Sequence, residues 1–315
     1  PPDATGWQCD SWRPHPERFP EGWQPLTERA AELGVRLALW APAQTIPLDD
    51  LMTNFRQGGF LHYKLDFANL RSRQAIDDLM SKVRTFIAAT GHRVRVNWDV
   101  TENSPRYGYF FAREYGLLYL ENRKPAIPDS TAYRPHTVLS DAWHAAHYLN
   151  LRQIQISVQN VDAVDRGLSD AWLHPHAYCV AVALAGAPLF FQLTQRYTEE
   201  ARAAIRPLLA AYRRHRDAMT ACMIHPVGSP PDNGSWTGFQ FCPRQEGPGY
   251  LLVFRELHNR EETAVLRLRG VQGAGLVLRN LLTEEEETCT AGPEGRLSLT
   301  IPEAPGFRLL EYRRA

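Results

Sequence analysis

From residue 24 to residue 200, short apolar runs alternate with amphipathic helical segments, and this alternation is what most constrains the fold. "PLTERAAELG" has helical spacing and a terminal glycine, Gly34, and "VRLALWA" follows it as an extended run. "LDDLMTNFRQGG" leads in the same way into "FLHYKLDF". The long helical stretch "SRQAIDDLMSKVRTFIAATG", closed by Gly91, leads into "RVRVNWDV". "GLLYLE", "LRQIQISV" and "APLFFQL" continue the strands, with "HTVLSDAWHAAHYL" and "HPHAYCVAVALAG" as helices between them. "TEEARAAIRPLLAAYRRHRDAM" is the last helix. Strands separated by helices and apolar on both faces belong to a parallel sheet. Polar, aromatic or acidic residues stand at the strand ends: Trp40, Asp66, Asp99, Glu121, Gln159 and Gln192. A β/α barrel builds its active site at that face. A doubly wound sheet is the rival, but no glycine-rich phosphate loop follows any strand. The expectation is a (β/α)8-type TIM barrel.

The texture changes after residue 222. "HPVGSPPDNGSW" reads as a connector, and "GYLLVFREL", "TAVLRLRG", "GLVLRNLL", "RLSLTI" and "FRLLEYRR" follow as short strands separated by turns. This predicts a small antiparallel β-sandwich over 223–315 after a barrel domain over 1–222. "TEEEET" reads as a solvated turn.

Lys+Arg and Asp+Glu number 35 each, so no global field favours nucleic acid or an anionic membrane as partner. The five cysteines are scattered and lack metal-site spacing. His136 and the pair His174 and His176 lack a third ligand at suitable spacing, so no metal and no cofactor is expected. The apolar stretch around "YCVAVALAGAPLFF" is too short for a membrane span. Oligomeric state and compartment stay open.

Lys64 and Asp66 are two apart in a strand, so they point the same way. An ion pair closing a barrel rim is one explanation. Two further strand-end acids, Asp99 and Glu121, raise another. Glycoside hydrolysis needs two carboxyl groups across a reactive carbon, one as nucleophile or base and one as proton donor. A lysine beside the nucleophile stabilises its negative charge and can bond a sugar hydroxyl.

At this point the chain resembles the melibiase-type α-galactosidase clan of retaining glycosidases, in a divergent bacterial branch. "GWQCDSWRPHPERFPEGWQPLTERAAELGVRLALW" is similar to the clan's first barrel loop, its "FP.G" turn and the strand ending in "LW". "YKLDF" is similar to the Lys-x-Asp strand, and "HPVGSPPDNGSWTGFQ" to the entry into the C-terminal sandwich. The resemblance implies a TIM barrel with a C-terminal β-sandwich and an oligosaccharide or glycoside substrate. It puts the nucleophile on Asp66 and a sugar contact on Lys64. The acid/base falls on Glu121 in "YLENR", where the clan usually has an aspartate. "NWDVTENSPRYGYFF" replaces the usual Cys/Gly/Ser-rich loop, with Arg106 as a substitute hydroxyl partner.

Asp10 and Trp12, in the first loop, are pocket residues by the same resemblance. Trp40 is a stacking wall for a sugar ring or a core tryptophan. Asn97 and Asp99 are sugar-hydroxyl partners or caps of a strand–helix turn. Arg123 tunes the acid, binds substrate or forms a rim salt bridge. The leading expectation is a retaining exo-acting α-galactosidase-like hydrolase. The alternatives are a non-catalytic carbohydrate-binding relative, kept open by Glu at 121, and a transglycosylase. "PPDATGWQCDSW" reads as the loop after barrel strand one, which predicts a barrel lacking its first strand in this chain and a poorly soluble or inactive fragment.

Overall fold

The computed structural model describes residues 11–68, 70–99, 116–120, 126–127, 130–190 and 194–315. The chain separates into two units, Pro1–Glu121 and Asn122–Ala315.

In the first unit, helices α1 (Gln24–Glu32), α2 (Leu48–Gly58) and α3 (Arg73–Ala89) alternate with strands β1 (Ala38–Pro42), β2 (His62–Asp66), β3 (Arg95–Trp98) and β4 (Gly116–Leu120). Neighbouring strands pair in parallel in the order β1-β2-β3-β4. One strand face supplies Ala41, Tyr63, Leu65, Val96, Trp98 and Leu118 to a core shared with Leu51, Val83 and Phe86 of the helices. The Tyr63 ring meets Phe86 edge-on at 5.0 Å. α3 starts at Ser72, whose hydroxyl accepts the Ala75 N–H at 3.1 Å. Its buried residues, Leu79, Met80, Val83, Phe86 and Ile87, recur at helical spacing. β4 must open on glycine, because a Cβ at Gly116 would lie 1.8 Å from the Val96 carbonyl oxygen. Lys82 of α3 reaches the turn after β1, where its ammonium donates to the carbonyls of Ala43, Gln44 and Ile46 at 2.7, 2.8 and 3.0 Å.

The second unit opens with the two-residue strands β5 (Ala126–Ile127) and β6 (Ser130–Thr131), an antiparallel pair. Helices α4 (Pro135–Ala145), α5 (His176–Ala183) and α6 (Glu199–Ala221) follow, with β7 (Ile154–Val158) and β8 (Ala187–Phe190) paired in parallel. Thr198 caps α6 by accepting the Ala201 N–H at 3.1 Å. A polar network links the helical part to the loop at 230–235. Asp170 Oδ2 accepts from Asn233 Nδ2 at 2.9 Å and faces His136 Nδ1 at 3.5 Å, and buried His174 bonds the Asp170 carbonyl at 3.1 Å.

From Met223 the unit is antiparallel. β9 (Met223–Gly228), β10 (Trp236–Cys242), β11 (Gly249–Arg255), β13 (Gly275–Asn280), β14 (Glu286–Thr290) and β16 (Gly306–Arg314) form one sheet in the order β14-β13-β16-β11-β10-β9. β12 (Thr263–Arg267) pairs with β15 (Arg296–Thr300). Leu251, Val253, Leu276, Leu278 and Leu310 of the large sheet share one core with Leu266, Leu297 and Leu299 of the small one, as in a sandwich. The structure corrects two local expectations. The stretch expected to be a connector is strand at both ends, since β9 runs to Gly228 and β10 starts at Trp236, which leaves 229–235 as the connection. β9 is an edge strand, which is where Pro226 is tolerated. The "TEEEET" segment holds the start of β14, an exposed edge strand whose acids pair with Arg308 and Arg313. Both were hidden because edge strands need little apolar patterning.

Candidate active site

The site is built on the strands of the first unit. Register sets Trp40 of β1 opposite Lys64 of β2, and Lys64 opposite Asn97 of β3. Side-chain alternation then brings Asp66 to the face of Lys64, and Asp99, just past β3, to the face of Asn97. The backbone continues that ladder, with Asp99 N–H donating to the Leu65 carbonyl at 3.0 Å.

Asp66 closes β2, and its carboxylate is held at both oxygens. Oδ2 accepts the Trp40 indole N–H at 2.8 Å, and Oδ1 accepts the Phe67 backbone N–H at 2.7 Å. The Lys64 ammonium lies 3.6 Å from Asp66 Oδ2 but 2.8 Å from Asp99 Oδ2, so its nearer carboxylate is Asp99. The side chain of Asp99 is only 4% exposed, whereas that of Asp66 is 14% exposed. A carboxylate that deep is costly unless a cation accompanies it, and Lys64 is that cation. The same ammonium stands 4.3 Å from the centroid of the buried Tyr119 ring. One lysine is thus shared by two acids and a π face.

Phe67 carries a φ of 52°, in the left-handed region that aromatic residues rarely occupy. That backbone accompanies the short bond from its N–H to Asp66, and its exposed ring meets Trp40 edge-on at 5.8 Å. Strain of this kind persists where the surroundings fix it. Trp12 also packs against Trp40, with ring centroids 5.9 Å apart. α2 anchors its main chain: Asp50 Oδ2 accepts the Trp12 N–H at 2.7 Å, and Asn54 Nδ2 donates to the Trp12 carbonyl at 2.8 Å. Arg13 Nε closes the clamp on Asp50 Oδ1 at 2.7 Å, and the Trp23 indole donates to Asn54 Oδ1 at 2.8 Å.

Of the residues singled out in the sequence, Trp12, Trp40, Lys64, Asp66, Asn97 and Asp99 are therefore carried by this one unit. Asp10, Arg106, Glu121 and Arg123 lie outside the described residues. Four contributors were missed. Tyr119 sits among apolar residues in "GLLYL" and reads as core. Phe67 gives no warning that its backbone is left-handed. Asp50 and Asn54 look like ordinary first-turn and surface residues of an amphipathic helix, although both are buried. Elsewhere His176 faces Asp162 at 3.3 Å. Among the described residues no three His, Cys, Asp or Glu side chains are grouped to hold a metal ion.

The arrangement presents an accessible carboxylate oriented by two donors, beside a cation and next to aromatic faces. It suits attack on an electrophilic carbon of a polar ring. No family model matches the chain, and no curated protein matches it in sequence. Solved structures do match in fold. The GH36 α-galactosidase AgaB from Geobacillus stearothermophilus superposes with a TM-score of 0.71 at 12% identity, covering 96% of this chain and 48% of that one. The galactosidase domain of the α-galactosidase-sucrose kinase AgaSK gives 0.69 at 12%, covering 98% and 47%. A GH27 β-L-arabinopyranosidase from Geobacillus stearothermophilus, solved with arabinose, gives 0.63 at 11%, covering 96% and 81%. This chain spans about half the length of the α-galactosidases it matches. In fold it is similar to the GH36 α-galactosidases and to a GH27 enzyme, the glycosidase clan its motifs resemble.

Proposed function

We propose that this chain is the catalytic part of a retaining, exo-acting, α-galactosidase-like glycosidase. The observation that carries the reading is Asp66, held by Trp40 and Phe67 beside Lys64 at the end of a parallel strand, within an α-galactosidase-like fold. In this reading residues 1–222 belong to a β/α barrel and residues 223–315 form its β-sandwich companion.

Asp66 attacks the anomeric carbon of a terminal α-linked sugar as the bond to the leaving oxygen breaks. Glu121 gives that oxygen its proton. Water then attacks the anomeric carbon, Glu121 takes the water's proton, and the bond to Asp66 breaks. Lys64 and Asp99 bond sugar hydroxyls, and Trp40 and Trp12 flank the ring. Asp10, Asn97, Arg106 and Arg123 complete the polar lining. The GH27 structure was solved with arabinose, and a GH36 AgaA variant with raffinose, which supports an oligosaccharide or glycoside as ligand.

A panel of aryl α- and β-glycosides tests the reading, with the first-formed product anomer followed by NMR. Hydrolysis of an α-glycoside with the α-anomer appearing first is the expected result. First release of the β-anomer excludes retention, and sugar binding without turnover points to a carbohydrate-binding protein. Product that depends on an added alcohol marks a transglycosylase.

A further inference from the structure

The β-sandwich of the second unit holds a cleft of about 930 Å³ between the β10–β11 loop at 243–248 and the turn after β12. Buried Tyr312 lies in its wall, its hydroxyl accepting from Gln240 Nε2 at 2.9 Å. Four arginines line the cleft, and two of them are already engaged. Arg313 pairs with Glu286 at 3.1 Å, and Arg314 donates to the Gly270 carbonyl at 3.0 Å. Of the two glutamates, Glu311 faces His215 at 3.4 Å. The guanidinium groups of Arg244 and Arg269 have no carboxylate within ion-pair distance among the described residues, Glu246 included.

Arg269 is also held in place. The fully buried amide of Gln240 accepts the Arg269 N–H at 2.8 Å and donates to its carbonyl at 2.9 Å. That fixes both sides of the residue while its side chain stays exposed. Burial, together with the charge of Arg269, lowers the pKa of His225 in the same cleft, so the imidazole is neutral at pH 7 and adds no charge to those of the arginines.

We propose that this cleft is a binding site for a small molecule bearing an oxyanion, a carboxylate, sulfate or phosphate, received by the forks of Arg244 and Arg269. The planar guanidinium pairs bidentately with such groups. The volume is that of an organic ligand site, so the oxyanion is carried on a larger organic body. The site is independent of the Asp66 chemistry.

Calorimetric titration of the whole chain at low ionic strength tests this, with inorganic phosphate, inorganic sulfate and glucuronate as probes and neutral glucose as control. Saturable binding of at least one anion is expected, and comparison of the three identifies the favoured group. Arg244→Ala and Arg269→Ala should each weaken it about tenfold, with Arg269→Lys intermediate because a lysine keeps the charge but loses the fork. Raising the salt should weaken it further. Both arginines are exposed, so an unchanged thermal midpoint in the variants shows that the fold is intact. The proposal is overturned if none of the anions binds. It is equally overturned if glucose binds as well as they do, or if the double alanine variant binds like the parent.

Discussion

Trp40 donates its indole N–H to the Asp66 oxygen that also faces Lys64, at 2.8 Å and 3.6 Å respectively. A ring expected to be a stacking wall or a core tryptophan is therefore a donor that orients the proposed nucleophile. Trp40→Phe keeps an aromatic face and removes the donor. It should lower kcat about tenfold with little change in KM, whereas Trp40→Ala should raise KM as well. Steady-state kinetics on an aryl α-glycoside decides between orienting and stacking roles.

Asp66→Asn should cut turnover by roughly three orders of magnitude or more while the circular dichroism spectrum stays unchanged. Mass spectrometry of a trapped glycosyl adduct should place the label on Asp66. An adduct on Asp99 would reassign the nucleophile.

Lys64 is the cation that accompanies the buried Asp99 carboxylate. Lys64→Ala removes the cation 2.8 Å from that charge and should cost about 3 kcal/mol of stability. Adding Asp99→Asn in the same chain should recover much of the loss, because the buried charge that Lys64 balanced is then gone. Urea unfolding of the two single variants and the double variant measures the coupling.

The φ of 52° at Phe67 predicts an unusual order of tolerance. Asparagine enters the left-handed region readily, while β-branched valine does so only with strain. Phe67→Val should therefore destabilise by about 1 kcal/mol more than Phe67→Asn, although valine is the more apolar replacement. Thermal unfolding of the pair reads the difference.

His174 supplies a pH test. Burial lowers its pKa, opposed by the Asp170 carbonyl and charge and helped by the neighbouring His136 and His258. The unfolded chain takes up this proton first as the pH falls, near the ordinary histidine value of about 6.5. The contribution of His174 to stability is therefore whole above that pH and is lost below it, until the folded imidazole also protonates. His174→Asn should flatten this part of the acid slope, by no more than about 1.4 kcal/mol per pH unit. Stability curves of parent and variant from pH 8 to pH 5 give the difference.

The alternation of helices and strands was legible because buried parallel strands and amphipathic helices leave different periods in the sequence. The pairing of Lys64 with Asp66 was legible for the same reason, through strand alternation. The closer partnership of Lys64 with Asp99 was not, because it depends on parallel register between β2 and β3, which no local pattern records. Tyr119 was hidden by its neighbours, since a phenol in an apolar strand looks like core whatever cation lies over it. Asp50 was hidden by position, as an acid in the first turn of a helix has a sufficient local explanation in the helix dipole. β9 and β14 escaped because edge strands carry weak apolar patterns and, in β9, a proline.

Lys82 gathers three successive-turn carbonyls, of Ala43, Gln44 and Ile46, around one ammonium. In effect the turn after β1 has a counter-ion that is covalently tethered to α3. Dilution and chelators cannot remove it. An acyl group on that amine would take away the charge and at least two of its three donor hydrogens at once. The conformation of the turn is thus inherited from the docking of a helix far along the chain, and a disturbance of α3 would be felt first at the strand that carries Trp40.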